Sequence, residues 1–250
     1  MQFIESVQNQ RVKHWKKLLT KKERESSQQF MVEGFHLVEE ALMAGVVEDI
    51  ILGDEVEPPT FRNTTRINFY RVTKEVVKEI SETETTQGIF AICKMQEQTV
   101  DLKLMQSTLL LDGIQDPGNL GTIVRTADAA GIRAIVLGDG TTDLYNPKTI
   151  RATQGSLFHL PIVKANLVQL LPELKKAGVT VLGTSLQNSK IFTEVEKPTK
   201  VALIVGNEGQ GVSKELLSMT DQNVFIPIYG KAESLNVGIA AGILMYHFRN

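Results

Sequence analysis

Five nearly unbroken apolar runs in the second half of the chain constrain its fold more than any other feature. They are TLLLD (108–112), AIVLG (134–138), VTVLGT (179–184), VALIVGN (201–207) and NVFIPI (223–228). Stretches of helical spacing lie between them, near 118–130, 147–155, 167–177 and 213–219, and a last one runs from about Leu235 to Phe248. A strand that is apolar on both faces must be covered on both, which calls for helices above and below a parallel sheet. The pattern therefore predicts a Rossmann-like α/β domain. In such sheets ligands bind beyond the carboxyl ends of the strands. That rule directs attention to the loops after Asp112, Gly183, Gly206 and Ile228.

The first hundred residues read differently. Val12, Trp15, Leu18 and Leu19 recur at helical spacing. QFMVEG, VEDIIL, INFYRV and GIFAIC read as strands, and Phe35–Ala44 and Thr73–Ser81 as helices. This predicts a small α/β sandwich. The least patterned stretch, Lys94–Gln106, reads as a linker, giving domains at 1–98 and 107–250.

Composition narrows the function classes. No run approaches the roughly 18 apolar residues of a membrane span, and the first residues lack the apolar core of a secretory signal. The one cysteine, Cys93, permits no internal disulfide and fits the reducing cytoplasm. It lies in an apolar strand and reads as inert core. Four scattered histidines and one cysteine leave no zinc site of Cys/His type, so no metal is expected. There is no G-x-G-x-x-G and no G-x-x-x-x-G-K-[ST], which removes the main support for a dinucleotide oxidoreductase or a P-loop nucleotidase. The net charge is −2, but residues 11–24 hold seven basic residues against Glu23 alone, a local +6. A basic block on an otherwise acidic chain is a candidate phosphate-contacting surface, although a solvated helix face gives the same pattern.

Three segments stand at the predicted strand ends. In LDGIQDPGNLGTIVRTADAAG (111–131) a turn leads into a helix, with Asn119 as the expected cap. Gly121, Arg125 and Asp128 share a face of that helix, so Arg125 is either a functional cation or the partner of Asp128 in an exposed ion pair. In LIVGNEGQGVSKEL (203–216) glycines let backbone groups approach a ligand. In FIPIYGKAESLNVGIAAGILMYHF (225–248) Pro227 marks an edge or a strand end, and Ser234 or Asn236 caps the last helix. Gly238, Ala240, Ala241 and Gly242 suit that helix to close packing against another.

Taken together, NLGTIVRTADAAG, IVGNEGQGV and IPIYGKAESLNVGIAAGI resemble the three motifs of the SpoU/TrmH family of RNA ribose 2′-O-methyltransferases, in the SPOUT superfamily. The resemblance covers about residues 107–250. The start, IESVQNQRVKHWKKLLTKKERESSQQFMVEGFHLVEEAL, is similar to the substrate-binding domain of ribosomal-RNA members. The resemblance implies a catalytic domain with a C-terminal trefoil knot, S-adenosylmethionine as cofactor, and a homodimer through the catalytic domain with the last helix near the interface. It also implies an N-terminal domain that binds RNA.

By the same resemblance Arg125 matches the catalytic arginine. It would act either as the base for the ribose hydroxyl or by holding the adjacent phosphate and stabilising the developing alkoxide; an ordinary arginine stays protonated, which favours the second. Asn119 matches the first-motif asparagine, which would orient Arg125 or the substrate, Glu208 the second-motif glutamate, which would orient Arg125 or Asn119, and Ser234 and Asn236 the third-motif pair near the methyl-transfer site. Thr184, Gly206, Ile226 and Leu235 match cofactor-contacting positions. Arg11, Lys13, Lys16, Lys17, Lys21 and Lys22 become candidate RNA contacts. Trp15 either stacks on a base or packs on the apolar helix face with Val12, Leu18 and Leu19. Arg151 either faces RNA or is solvated. The expected activity is 2′-O-methylation of ribosomal RNA, large-subunit (23S) RNA in particular. A transfer-RNA methyltransferase and a non-catalytic RNA-binding or assembly factor are the alternatives.

Overall fold

The computed structural model describes residues 1–57, 66–96, 98–102 and 105–249. Part of the expected linker, Glu97, Lys103 and Leu104, lies outside them. The chain divides into two compact units, Met1–Glu97 with Asp143–Phe158, and Gln98–Thr142 with His159–Asn250.

In the first unit the chain runs β1 (Gln2–Ile4), α1 (Gln10–Lys17), α2 (Lys21–Ser27), β2 (Gln29–Glu33), α3 (Phe35–Met43), β3 (Val47–Gly53), β4 (Asn68–Val72), α4 (Lys74–Ile80) and β5 (Ile89–Lys94). The strands form one sheet in the order β1-β4-β3-β5-β2, with β5 antiparallel to both neighbours and β1, β4 and β3 mutually parallel. Side chains alternate across it. Ile50, Leu52, Ile89 and Ala91 meet Leu37, Val38 and Ala41 of α3 on one face. Ile51, Phe90 and Ile92 meet Val12 and Trp15 of α1 and Val76 and Ile80 of α4 on the other. Helices on both faces explain why β3 and β5 read as continuous apolar runs. Trp15 is 1% exposed and edge-on to Tyr70, so it packs as core and offers no face to a base.

The second unit begins with β6 (Ser107–Asp112), α5 (Pro117–Ala130) and β7 (Ala134–Leu137). The next helix, α6 (Pro147–Thr153), belongs to the first unit, where Ile150 and Leu157 join the core around Phe30. Its segment is fastened there by Arg24, which is buried and donates to Asp143 from Nε at 3.2 Å and Nη2 at 2.7 Å and to the Leu18 carbonyl at 2.7 Å. The second unit resumes with β8 (Ile162–Lys164), α7 (Leu167–Lys176), β9 (Thr180–Thr184), β10 (Lys190–Ile191), β11 (Val201–Gly206), α8 (Lys214–Met219), β12 (Gln222–Phe225) and α9 (Val237–Phe248).

Its seven strands form a wholly parallel sheet, in the order β10-β12-β9-β11-β6-β7-β8. The five predicted strands are present, and β8 and β10 are added. The strand expected over 223–228 stops at Phe225. Pro227 has no N–H to extend a ladder, so the strand-end reading of that proline is the one that holds. Leu170, Leu171 and Leu174 of α7 and Leu216 of α8 pack with Val181, Ala202 and Ile204 of the sheet. Helices α5 and α9 lie against each other. A Cβ on Gly238 would stand 3.3 Å from Thr122 Cγ2, and one on Gly242 3.3 Å from Thr126 Cγ2. The small residues of α9 thus allow the close approach their sequence suggested. Among the described residues, no helix is long and apolar enough to cross a membrane.

Candidate functional site

The site gathers where β6, β9, β11 and β12 end. Helix α5 is capped by Asp116, whose Oδ1 accepts from the Asn119 N–H at 2.9 Å, and Pro117 takes the first helical position. Asn119 is therefore the third residue of the helix and not its cap. A proline at the first helical position needs the cap just before it, which decides for Asp116.

Freed from capping, the Asn119 amide does something else. Its Nδ2 donates to Glu208 Oε1 at 3.1 Å, and its Oδ1 accepts from Asn236 Nδ2 at 2.9 Å. Glu208 also accepts from the backbone N–H groups of Gln115 and Asp116, each at 3.1 Å. Asn236, rather than Ser234, caps α9: its Oδ1 accepts from Gly238 N–H at 2.9 Å and Ile239 N–H at 3.3 Å. One residue from each of the three motifs thus joins a single hydrogen-bonded chain. Partial burial raises the Glu208 carboxyl, but the donors from Asn119, Gln115 and Asp116 outweigh it and hold the group below its ordinary value. The carboxylate stays charged and serves as an anchor for the loops.

The loop after β11 is shaped by its backbone. Gly206 leaves no room for a side chain, since a Cβ there would stand 2.2 Å from both the Gly211 carbonyl carbon and the Val212 nitrogen. Asn207 and Gly211 pair by two backbone hydrogen bonds of 3.1 and 2.9 Å. The Asn207 side chain accepts from the N–H groups of Gly209 and Gln210 at 2.9 and 3.0 Å and donates to the Gly113 carbonyl at 2.9 Å. It fixes this loop to the one after β6. Sequence reasoning passed over Asn207, although an asparagine opening a glycine-rich turn is a signal for this type of side-chain-to-backbone bonding.

A cleft of about 750 Å³ opens between these loops, within the range of roughly 300–1,000 Å³ usual for small-molecule sites. Asn119, Thr184, Gly206 and Glu208 line it, as do Ile226, Ser234, Leu235 and Asn236. Thr184 spends its hydroxyl on the Ile204 carbonyl at 3.1 Å, so that hydroxyl is already engaged within the sheet. Val224, Phe225, Ile226 and Leu235 provide apolar wall beside the exposed residues 208–211. That combination suits a flat heteroaromatic ring whose edge is read by main-chain groups. Among the described residues, no group of three or more His, Cys, Asp or Glu side chains could hold a metal ion.

Arg125 does not line the cleft. It is exposed on α5, six residues from Asn119, or about 1.7 turns and about 9 Å along the axis. Asp128 does not pair with it; its Oδ2 lies 2.7 Å from His159 Nδ1 instead. The bland explanation of Arg125 as half of an ion pair within the helix therefore fails.

The basic candidates of the first unit also separate. Lys16 pairs with Glu79, Lys21 with Glu25 at 3.6 Å, and the Arg11 guanidinium stands 4.9 Å over the Tyr70 ring. Lys13, Lys17 and Lys22 are exposed and make no ion pair among the described residues. Arg151 pairs with Glu82 at 3.3 Å.

Residues 106–246 match the SpoU rRNA Methylase family, and residues 9–91 match the MRM3-like substrate binding domain. The 23S rRNA (guanosine(2553)-2′-O)-methyltransferase RlmP of Bacillus subtilis is 52% identical over 250 residues, covering 100% of both chains. An AdoMet-bound rRNA methyltransferase from Sinorhizobium meliloti superposes with a TM-score of 0.89 at 33% identity, over 99% of this chain and 97% of that one. The AdoMet complex of the SpoU methyltransferase AviRb from Streptomyces viridochromogenes gives 0.83 at 26% identity, over 96% of both.

Proposed function

The chain belongs to the SpoU rRNA methylase family, and from this we propose that it methylates a ribose 2′-hydroxyl of 23S ribosomal RNA, using S-adenosylmethionine. The observation that carries the reading is the Asn119–Glu208–Asn236 chain at the mouth of the cleft, which ties all three motifs to one point over the strand ends. The relative RlmP is named for a guanosine of 23S RNA, and we place the target of this chain in the same class. The matched substrate-binding domain at 9–91 favours ribosomal over transfer RNA. We propose that the protein acts in the cytoplasm, on ribosomal RNA.

When bound, S-adenosylmethionine supplies a methyl group already activated on a positive sulfonium. The protein must then align the weakly acidic hydroxyl in line with that methyl and manage its proton. We assign Asn119 and Asn236 to orienting the ribose at the cleft mouth, with Glu208 as the anchor that holds Asn119. To Ser234, exposed on the cleft wall, we assign contact with the reacting hydroxyl. Gly206, Ile226, Leu235 and the main chain of Thr184 form the adenosine side of the cleft. Arg125 holds the adjoining phosphate and stabilises the developing alkoxide. Lys13, Lys17 and Lys22 contact RNA phosphates from the first unit, and the second unit, without the 143–158 segment that packs in the first, is the catalytic domain.

Arg125 stands outside its own cleft, on a helix packed beside α9. Helix α9 leaves Ile239 55%, Ile243 37% and Tyr246 49% exposed, and apolar residues at that spacing suit a self-association face. We propose a homodimer through this face, which carries Arg125 into the interface region. We also propose that the loops after β11 and β12 close as the trefoil knot the resemblance implies.

The direct test compares 23S RNA from cells with and without the protein by mass spectrometry of nuclease fragments. Loss of one ribose methyl from a guanosine supports the reading. Unchanged ribosomal RNA with a methyl missing from a transfer RNA would favour the transfer-RNA alternative.

A further inference from the structure

The loop from β12 to α9 supplies one wall of the cleft, through Ile226, Ile228, Ser234 and Asn236. In the middle of that loop stands Tyr229, 94% exposed, with the whole ring in water. Its neighbours are open as well. A Cβ on Gly230 would meet nothing within 4 Å, and Lys231 is exposed and makes no ion pair among the described residues. A large aromatic ring held clear of its own chain, beside a free lysine, combines the two features that bind single-stranded nucleic acid: a stacking face and a cation for the backbone.

The ribose reaction says what must arrive there. It rests on ribose methylation at this cleft. A 2′-hydroxyl brought to the cleft mouth carries its nucleobase with it, since C2′ is one bond from the carbon that bears the base. Tyr229 lies one residue beyond Ile228 and five before Ser234, both of which line the cleft. The base of the target nucleotide, or of its immediate neighbour, therefore comes within reach of this loop. We propose that Tyr229 stacks on that unpaired base, and that Lys231 meets the phosphate beside it. Tyr229 then acts as a positioning residue that keeps the target ribose extracted from its RNA stack.

The test is methyl-transfer kinetics of the full chain on a 23S RNA fragment, with Tyr229→Ala, Tyr229→Phe and Tyr229→Trp. A stacking role predicts that Tyr229→Ala raises the RNA KM by about tenfold, inside the range expected for losing one stacked base. Phe and Trp should stay within about twofold of the wild type. S-adenosylmethionine affinity and the sedimentation mass should not change. A fluorescent base analogue at the target position should be quenched by the wild type and not by Tyr229→Ala. A wild-type KM for Tyr229→Ala overturns the proposal. So does Tyr229→Phe matching the loss in Tyr229→Ala, which would assign the effect to the hydroxyl. A change of mass in Tyr229→Ala overturns it too, because a second copy of the chain would then cover the ring. A wild type that methylates no RNA fails at the earlier step, and takes both readings down together.

Discussion

Asn119 and Asn236 lie 117 positions apart in sequence and share a hydrogen bond of 2.9 Å, from Asn236 Nδ2 to Asn119 Oδ1. Since Asn119 Nδ2 is given to Glu208, both ends of its amide are committed and only one orientation serves. Asn119→Asp keeps the shape but replaces the donor with an oxygen about 3 Å from Glu208. We expect loss of methyl transfer and a lower melting temperature at pH 7.

The pH dependence distinguishes this from simple loss of a contact. In the wild type the Glu208 carboxyl sits below its ordinary 4.5. Its bonds therefore stabilise above that value, and the contribution is lost as pH falls through the depressed one. In Asn119→Asp, two facing carboxylates raise one of the pair, so the destabilisation is present at pH 7 and fades as pH falls through the raised value. Melting curves from pH 4 to 8 check it. A melting gap between variant and wild type that does not narrow towards pH 4 contradicts the geometry.

Gly206→Ala places a methyl against backbone that cannot swing aside. Overpacking of this kind costs about 1–3 kcal/mol, and here it also displaces the 206–212 loop. S-adenosylmethionine affinity by calorimetry should fall well beyond the change in stability. Unaltered affinity would remove Gly206 from the cofactor side of the cleft.

Arg125→Ala should abolish transfer while leaving S-adenosylmethionine affinity within a few-fold, because the side chain lies outside the cleft. Ile243→Glu, on the exposed face of α9, should yield monomers that also lose transfer. Active monomers would sever Arg125 from the proposed interface.

Lysines differ within the basic stretch. Neutralising Lys13, Lys17 and Lys22 together should lower the slope of log binding against log salt by about 2, since each phosphate contact to a single strand contributes roughly 0.7. Neutralising Lys16 and Lys21, already paired with Glu79 and Glu25, should change it less. Equal effects from the two sets would make the stretch a general charge field with no particular contacts.

Arg24 belongs to the same stretch and behaves unlike it. It is buried against Asp143, and Arg24→Ala leaves a carboxylate without its partner. Removing one member of a buried pair costs about 3–5 kcal/mol. Denaturant melts should show that loss in the first unit with no change in the salt dependence of RNA binding.

Much of this was legible in the sequence for physical reasons. Continuous apolar strands and helical spacing announce a covered parallel sheet, and the five long strands were all found. β8 and β10, with three and two residues, are too short to show a period. The cap of α5 was misplaced by three residues because Asp116 and Asn119 are both good caps, and only Pro117 decides between them. The bond between Asn119 and Glu208 is one of the two partnerships the resemblance implied for that glutamate, whereas the further link to Asn236 was hidden, because it joins residues 117 positions apart. Neither Arg24's role in fastening 143–158 nor the pairing of Asp128 with His159 could be read from local spacing, since both depend on residues brought together only by folding.

Every role assigned to the cleft depends on ribose methylation of large-subunit RNA. It is tested by incubating the purified protein with methyl-labelled S-adenosylmethionine and total RNA from cells lacking it, then hydrolysing the RNA in alkali. A 2′-O-methyl group blocks cleavage at its own position. Label is expected in one alkali-resistant dinucleotide from 23S RNA. Label released as mononucleotides would mean base methylation and would contradict it, as would the absence of label from ribosomal RNA offered free or as particles.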